Sequence, residues 1–176
     1  EKVDYGEVGK LKLSCLKKAF ARVTSLNADY ENFCSENSYW LEDHSLFVAL
    51  KESYKGAVWT DWPPGARNRE VEFLNDQKMQ LREAIDFEKF VQYIFFGQWM
   101  SLKKYCNDQG IEIFGDLPIY VTHDSSDVWA NPEIFKLDRD GIPLLIAGVP
   151  PDCFSETGQL WGNPVYDWEV LKNNSY

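Results

Sequence analysis

Gly110 constrains the fold more than any other residue, because the pattern of the chain changes character there. Before it, apolar residues recur at helical spacing. Leu13, Leu16, Phe20 and Val23, with lysines between them, predict an amphipathic helix over about residues 9–24. Residues 27–54 hold Tyr30, Phe33, Trp40, Leu41, Phe47, Val48 and Leu50 and read as two short helices with a turn near 35–38. Gly56, Pro63, Pro64 and Gly65 then punctuate 55–69, a loop that carries Trp59 and Trp62. The helical period returns from about Arg69 with Val71, Leu74, Met79, Leu81 and Ile85. A long helix is expected over about 86–108. Gly110 sits just past its end, where the backbone needs a left-handed residue.

After Gly110 the residues 111–121 are short in extent and rich in β-branched and aromatic side chains, which reads as a buried strand followed by a turn. A long helix, a glycine and such a strand are the parts of a βα repeat, so an α/β architecture is favoured. Asp138-Arg139-Asp140-Gly141 separates two apolar runs, 134–137 and 142–145, as a hairpin turn does. The Pro/Gly-rich stretch 148–164 is longer than most structureless loops of compact domains, and such loops are usually functional or disordered. Its Phe154, Leu160 and Trp161 favour order. The chain therefore divides into a mainly helical part, 1–109, and a strand-plus-loop part, 110–176.

Composition narrows the function classes. Of the 176 residues, 44% are hydrophobic and 26% charged, enough apolar matter for a core. The formal net charge of −10 disfavours nucleic acid and anionic membranes, which need a basic surface, and suits a neutral polyhydroxylated ligand. No apolar run approaches the ~18–20 residues of a membrane span. The N-terminal residues lack a basic-then-apolar leader, and the four scattered cysteines, Cys15, Cys34, Cys106 and Cys153, have neither zinc-site spacing nor a disulfide framework. A cytoplasmic location with reduced thiols is expected. The triplet Asn173-Asn174-Ser175 matches a glycosylation sequon by chance in that setting. Aromatics reach 15%, with seven Trp, and can serve either as core or as flat platforms for sugar rings.

Few residues invite chemistry. Asp116 lies within an otherwise apolar run, where a carboxylate is costly to bury unpartnered. It either points at a ligand or caps the following turn. His123, Asp124 and Asp127 form a polar cluster too sparse for a metal site. They read better as a turn into a helix near Val128-Trp129, with Asp124, Ser125 or Ser126 as N-cap. Asp138-x-Asp140-Gly141 lacks the further ligands of a calcium loop and reads as a hairpin turn. His44, among Glu42, Asp43 and Ser45, reads as an exposed helix residue. No phosphate loop, nucleophile elbow or H-E-x-x-H is present. The stretch 148–164 mixes rigid Pro, flexible Gly, aromatics and hydrogen-bonding side chains. That mixture serves sugar recognition or a surface loop fastened by its rings.

Four runs carry a resemblance. They are Phe114 to Val121 (Phe-Gly-Asp-Leu-Pro-Ile-Tyr-Val), Asp124 to Pro132, Ala147 to Asp152, and Phe154 to Trp168 (Phe-Ser-Glu-Thr-Gly-Gln-Leu-Trp-Gly-Asn-Pro-x-Tyr-Asp-Trp). In order and spacing they resemble the 4-α-glucanotransferases, called amylomaltase in bacteria and disproportionating enzyme in plants. The helical region with Phe87, Phe90 and Phe95 to Trp99 is similar to the family's helix before the Asp116 strand. The resemblance implies part of a (β/α)8 TIM barrel with a helical insertion subdomain. It implies transfer of α-1,4-glucan segments to acceptor glucans with retention, on maltooligosaccharide substrates and without a cofactor. Retention uses two carboxyl groups flanking the scissile bond. Asp116 matches the family's aspartate in its first signature strand. Asp152, Phe154, Gln159 and Trp161 match the loop that folds over bound glucan, and such a lid excludes water so that a sugar takes the intermediate. Position 153 is Cys where the family commonly carries an aromatic.

The family's nucleophile, acid/base and stabilising carboxylates lie C-terminal to its Tyr-Asp-Trp motif. The chain is therefore expected to begin and end inside the enzyme, to hold no catalytic residue and no metal ligand, and to be inactive alone. Uncovered strand edges and helix faces would favour self-association. A non-catalytic glucan-binding module and a related barrel α-glucan hydrolase are the alternatives.

Overall fold

A computed structural model describes residues 2–23 and 28–173. Thr24 and Asn27, at the limits of two expected helices, and Asn174 and Ser175 of the sequon lie outside the described residues. The elements are α1 (Tyr5–Phe20), α2 (Ala28–Glu36), α3 (Ser38–Ser53), α4 (Pro64–Arg67), α5 (Val71–Gln80), α6 (Arg82–Asp108), α7 (Ser126–Ala130), β1 (Ile146–Val149), β2 (Gln159–Pro164) and α8 (Trp168–Asn173). Short 3-10 turns occupy Trp59–Asp61 and Pro132–Ile134. No helix among the described residues is long and apolar enough to cross a membrane. Two compact units are formed, one from 1–45 and 81–114, the other from 46–80 and 115–176.

The first unit is built on α6. Its Phe87, Phe90, Tyr93 and Phe96 recur every third residue, so each neighbours the next and the aromatic stripe winds around the helix to meet different elements along its length. Phe20 of α1 meets Phe87 and Phe90, each at 5.5 Å between ring centroids. Tyr30 and Phe33 of α2 meet Tyr93, and Phe33 and Trp40 meet Phe96. Edge-to-face and tilted pairs dominate, the arrangement the ring quadrupoles prefer. Asp4 caps α1, its Oδ1 accepting from the Glu7 N–H at 3.0 Å. Gly110 takes a φ of 73° past the end of α6, as expected.

His44 departs from its expectation. It is half-buried, 3.2 Å from Glu88 Oε1 and 3.3 Å from Gln92 Nε2. Glu88 and Gln92 stand one helical turn apart on α6, so the imidazole docks against a polar step in an apolar face. Burial alone pushes the Glu88 carboxyl up. Hydrogen bonds from His44 and Gln92, and the attraction of His44, outweigh it and hold the group below its ordinary range.

The second unit has a tryptophan core. Trp59, Trp62 and Trp129 are almost wholly buried, as are Leu46, Leu50, Ala66 and Val128 of the same unit. Phe47 and Trp62 both pack on Trp129, whose indole N–H donates to the Ala66 carbonyl at 2.9 Å. The stretch 55–69, expected as a loop, thus contains a 3-10 turn and α4, tied down by two buried indoles. Asp124 accepts from Lys51 Nζ and from the Trp59 N–H. Trp59 donates its indole N–H to the His123 carbonyl at 2.8 Å, and His123 Nε2 lies 2.8 Å from the Gly141 carbonyl oxygen. Ser125 is the N-cap of α7, accepting from Val128 N–H. The polar cluster at 123–127 is therefore occupied with structural bonds.

The expected hairpin at 138–141 forms. Asp138 Oδ1 accepts the N–H groups of Asp140 and Ile142 at 2.9 Å each, and Leu137 bridges Pro143. Segment 134–137 also pairs antiparallel with 165–167, through Lys136 N–H to Val165 O and Asp167 N–H to Ile134 O, both 2.8 Å. The stretch 148–164 is more regular than expected. Its two ends are β1 and β2, an antiparallel hairpin with Gly148 opposite Leu160 and an irregularity between Ile146 and Gly148.

The buried strand expected over 111–121 is not found. Ile111, Leu117 and Ile119 are more than half exposed and Phe114 fully so. The segment is extended, yet a strand is completed only by a neighbour's ladder of N–H and C=O groups. Among the described residues the one sheet is β1 with β2, and it does not include this segment. Residues 112–121 accordingly make no backbone–backbone hydrogen bond among the described residues.

Candidate glucan-binding cleft

Asp116, Leu117, Pro118, Ile119 and Tyr120 line one side of an open cleft of about 260 Å³, and Trp161 and Asn163 of β2 line the other. Trp161 and Asn163 flank Gly162, which takes a φ of 78° where the pairing of β2 with β1 is irregular, and both residues line the cleft. Asn163 Nδ2 donates to the Val121 carbonyl at 2.9 Å, which fastens β2 to the end of the extended segment. Trp161 presents a half-exposed indole whose Nε1–H donates to Gln159 Oε1 at 3.1 Å. The exposed Asp116 carboxylate thus shares a cleft with a flat apolar ring and an amide.

Of the residues singled out from sequence, the structure brings Asp116 and Trp161 into this cleft and ties Gln159 to Trp161. Asp152 and Phe154 lie in the connection between β1 and β2 and are not among the lining residues. Asp152 Oδ1 accepts from the N–H groups of both Phe154 and Ser155 at 2.8 Å, and the Asp152 N–H donates to the Ser155 carbonyl at 3.0 Å. Ser155 Oγ donates to the Gly158 carbonyl at 2.6 Å. The connection is a self-bonded turn with the Phe154 ring projecting into solvent at 90% exposure. Cys153 beside it is a free, exposed thiol.

Sequence reasoning missed Tyr120, Asn163 and Tyr166. Tyr120 meets Trp161 edge-on at 6.3 Å and stacks on Tyr166 at 5.8 Å with 16° between the planes. Tyr166 stacks in turn on buried Phe135 at 5.0 Å and 28°, and Trp168 leans on it at 5.5 Å. Burial, then the charge of Asp127 and the neighbouring Tyr120, pushes the Tyr166 phenol above its ordinary value. All three residues fall within the runs that carried the resemblance, which was the available signal. Their mutual contacts had none, because they join segments far apart in the chain.

Such a cleft can hold a neutral polyol. The indole face suits the C–H face of a sugar ring, and a carboxylate and an amide accept from and donate to hydroxyls. It contributes one carboxylate, Asp116, whereas double displacement at a glycosidic bond requires two facing each other across the scissile bond.

Comparison with known proteins gives a consistent result. The family model described as 4-alpha-glucanotransferase matches residues 1–176. The chain is 48% identical over 172 residues to a 4-alpha-glucanotransferase of Aquifex aeolicus, covering 98% of the chain and 35% of that relative. It is 45% identical over 177 residues to that of Streptococcus pneumoniae, covering 99% and 35%. With the chloroplastic/amyloplastic 4-alpha-glucanotransferase of Solanum tuberosum it shares 40% over 182 residues, covering 100% and 32%. Among solved structures, amylomaltase from Streptococcus agalactiae in complex with acarbose superimposes with a TM-score of 0.89 at 42% identity, over 98% of the chain and 35% of that protein. The chain spans about a third of the length of the relatives it matches.

Proposed function

The chain belongs to the 4-alpha-glucanotransferase family, and on that premise we propose that it is the glucan-holding portion of an enzyme that moves α-1,4-glucan segments onto acceptor glucans. The observation that carries the reading is the meeting of Asp116 with Trp161 and Asn163 in one open cleft. The solved relative in complex with acarbose supports an α-glucan as the ligand.

In this reading Trp161 stacks on a glucosyl ring, Asp116 and Gln159 take its hydroxyls, and the turn carrying Asp152 and Phe154 closes over the bound chain. Closure keeps water from the glucosyl intermediate, so that an acceptor sugar captures it. The reaction is a retaining double displacement, as two carboxyl groups flanking the bond allow. The cleft contributes one carboxylate, Asp116, and this reading gives it a substrate-holding role rather than that of nucleophile or acid/base. The two parts of the chain are a helical insertion and barrel helix over 1–109 and a barrel strand with its lid over 110–176, both belonging to a (β/α)8 barrel. The exposed Ile111, Phe114, Leu117 and Ile119 support that placement, since a barrel strand finds its ladder and cover in its neighbours. The reading needs no cofactor or metal and keeps the cytoplasmic location.

Incubating the protein as its gene encodes it with maltotriose tests the function. Appearance of longer maltooligosaccharides together with glucose is expected, and Trp161→Ala should weaken the apparent affinity for donor about tenfold or more, as loss of a stacking ring does. Hydrolysis products alone would move the protein to the α-glucan hydrolases. Binding of glucan without any turnover would make it a binding module.

A further inference from the structure

We propose that Tyr166 is a positioning residue that sets the angle of the Trp161 platform through Tyr120, a role that rests on the cleft reading above. Tyr166 does not line the cleft. It is the middle member of a column of rings, Phe135–Tyr166–Tyr120, with centroid separations of 5.0 and 5.8 Å and planes within 28° and 16° of parallel. The lower end is fixed: Phe135 is buried and bridges the Tyr166 backbone. The upper end, Tyr120, lines the cleft and meets Trp161 edge-on. Trp168 closes one flank of the Tyr166 ring.

The column matters because no backbone ladder holds the segment before Tyr120 among the described residues. Residues 112–121 make no backbone–backbone hydrogen bond among the described residues, and their apolar side chains are exposed. Two tethers then hold the cleft's two walls together: the Asn163 side chain on the Val121 carbonyl, and the ring column under Tyr120. Asn163 fixes the spacing of the walls. The column fixes the tilt of Tyr120, and with it the edge against which the Trp161 indole rests. An aromatic ring contributes here by shape and polarisability, so phenylalanine keeps the function and an aliphatic side chain does not.

Calorimetric titration with maltoheptaose, on the protein as its gene encodes it, separates the possibilities. Tyr166→Phe is expected to bind within about twofold of the parent, and Tyr166→Leu about tenfold more weakly, the scale of one lost ring pair. Gly56→Ala, which strains the same unit at a φ of 81° and lies outside the hairpin that carries Phe135, serves as the destabilised control and is expected to bind as the parent does. If Tyr166→Leu does not fold, Phe135→Leu carries the same expectation from one ring lower. Parent-like binding by Tyr166→Leu while Trp161→Ala binds weakly overturns the positioning role and leaves the cleft intact. Equal weakening by Tyr166→Leu and Gly56→Ala also overturns it, because the effect is then general softening. Unchanged binding by Trp161→Ala removes the cleft itself and the positioning role with it.

Discussion

Gly141→Ala and Gly56→Ala form a matched pair, because both glycines lie in the second unit at a φ of 81°. Placing a Cβ in that left-handed conformation costs roughly 1–2 kcal/mol at either site. At Gly56 nothing lies within 4 Å of the added carbon, so that backbone cost is the whole effect. At Gly141 the new Cβ would lie 2.9 Å from Trp59 Cζ3 and closer still to Cη2. Trp59 cannot swing away cheaply. It is only 3% exposed, and its indole N–H is held by the His123 carbonyl. Forcing a carbon into such a place adds about 1–3 kcal/mol. Gly141→Ala should therefore unfold at lower urea than Gly56→Ala, by a free-energy difference of about 1–3 kcal/mol. Tryptophan fluorescence in a urea series reads this directly, and comparing two variants cancels whatever both share. The collision predicts one thing more: in a Trp59→Leu background the Gly141→Ala cost should shrink toward that of Gly56→Ala. Equal costs for the two glycine variants, or a Gly141→Ala cost indifferent to Trp59, would refute the reasoning.

Asp138→Ala removes an acceptor shared by two N–H groups and should destabilise the chain by about 1 kcal/mol, measurable in the same urea series. Glu88 predicts an acid-side dependence. Its folded-state pKa is depressed, so its contribution is fully present above the unfolded value near 4.5 and is lost as pH falls through the lower folded value. Glu88→Gln should flatten the fall in stability below that pH, and an unchanged acid limb would show that the His44 and Gln92 contacts do not favour the charged form. The exposed Phe114, Leu117 and Ile119 predict self-association of the 176-residue chain, read by light scattering after gel filtration. A cooperatively melting monomer would count against it.

The helices were legible because periodicity reports directly which face is buried. Phe87 and Phe90 marked the inner face of α6, and three adjacent candidates bracketed the true cap, Ser125. The Asp138 turn was legible because its geometry is local. The segment 111–121 shows the limit of the same signal: alternation and β-branching record that a stretch favours an extended, covered state, without recording what covers it. His44 failed for a related reason. The period placed it on a polar run of α3, but the partners that half-bury it, Glu88 and Gln92, come from α6. In the cleft, Asp116 was visible as a carboxylate within an apolar run, and Trp161 as an aromatic of the 148–164 stretch that the resemblance matched to a substrate loop. The Phe135–Tyr166–Tyr120 column was not, since each ring alone reads as ordinary core.

The turn between β1 and β2 also bears on how a ligand would be received. Asp152 Oδ1 already accepts two backbone N–H groups, and Ser155 is bonded back to Gly158. The loop's backbone is therefore ordered before any ligand arrives, and the second carboxylate oxygen points in a direction the turn has already chosen. A loop of this kind surrenders little conformational entropy on contact, because most of its internal freedom was relinquished during folding. Its affinity would then be governed by enthalpic fit, and its movement would be that of a stiff flap hinged at the ends of two strands.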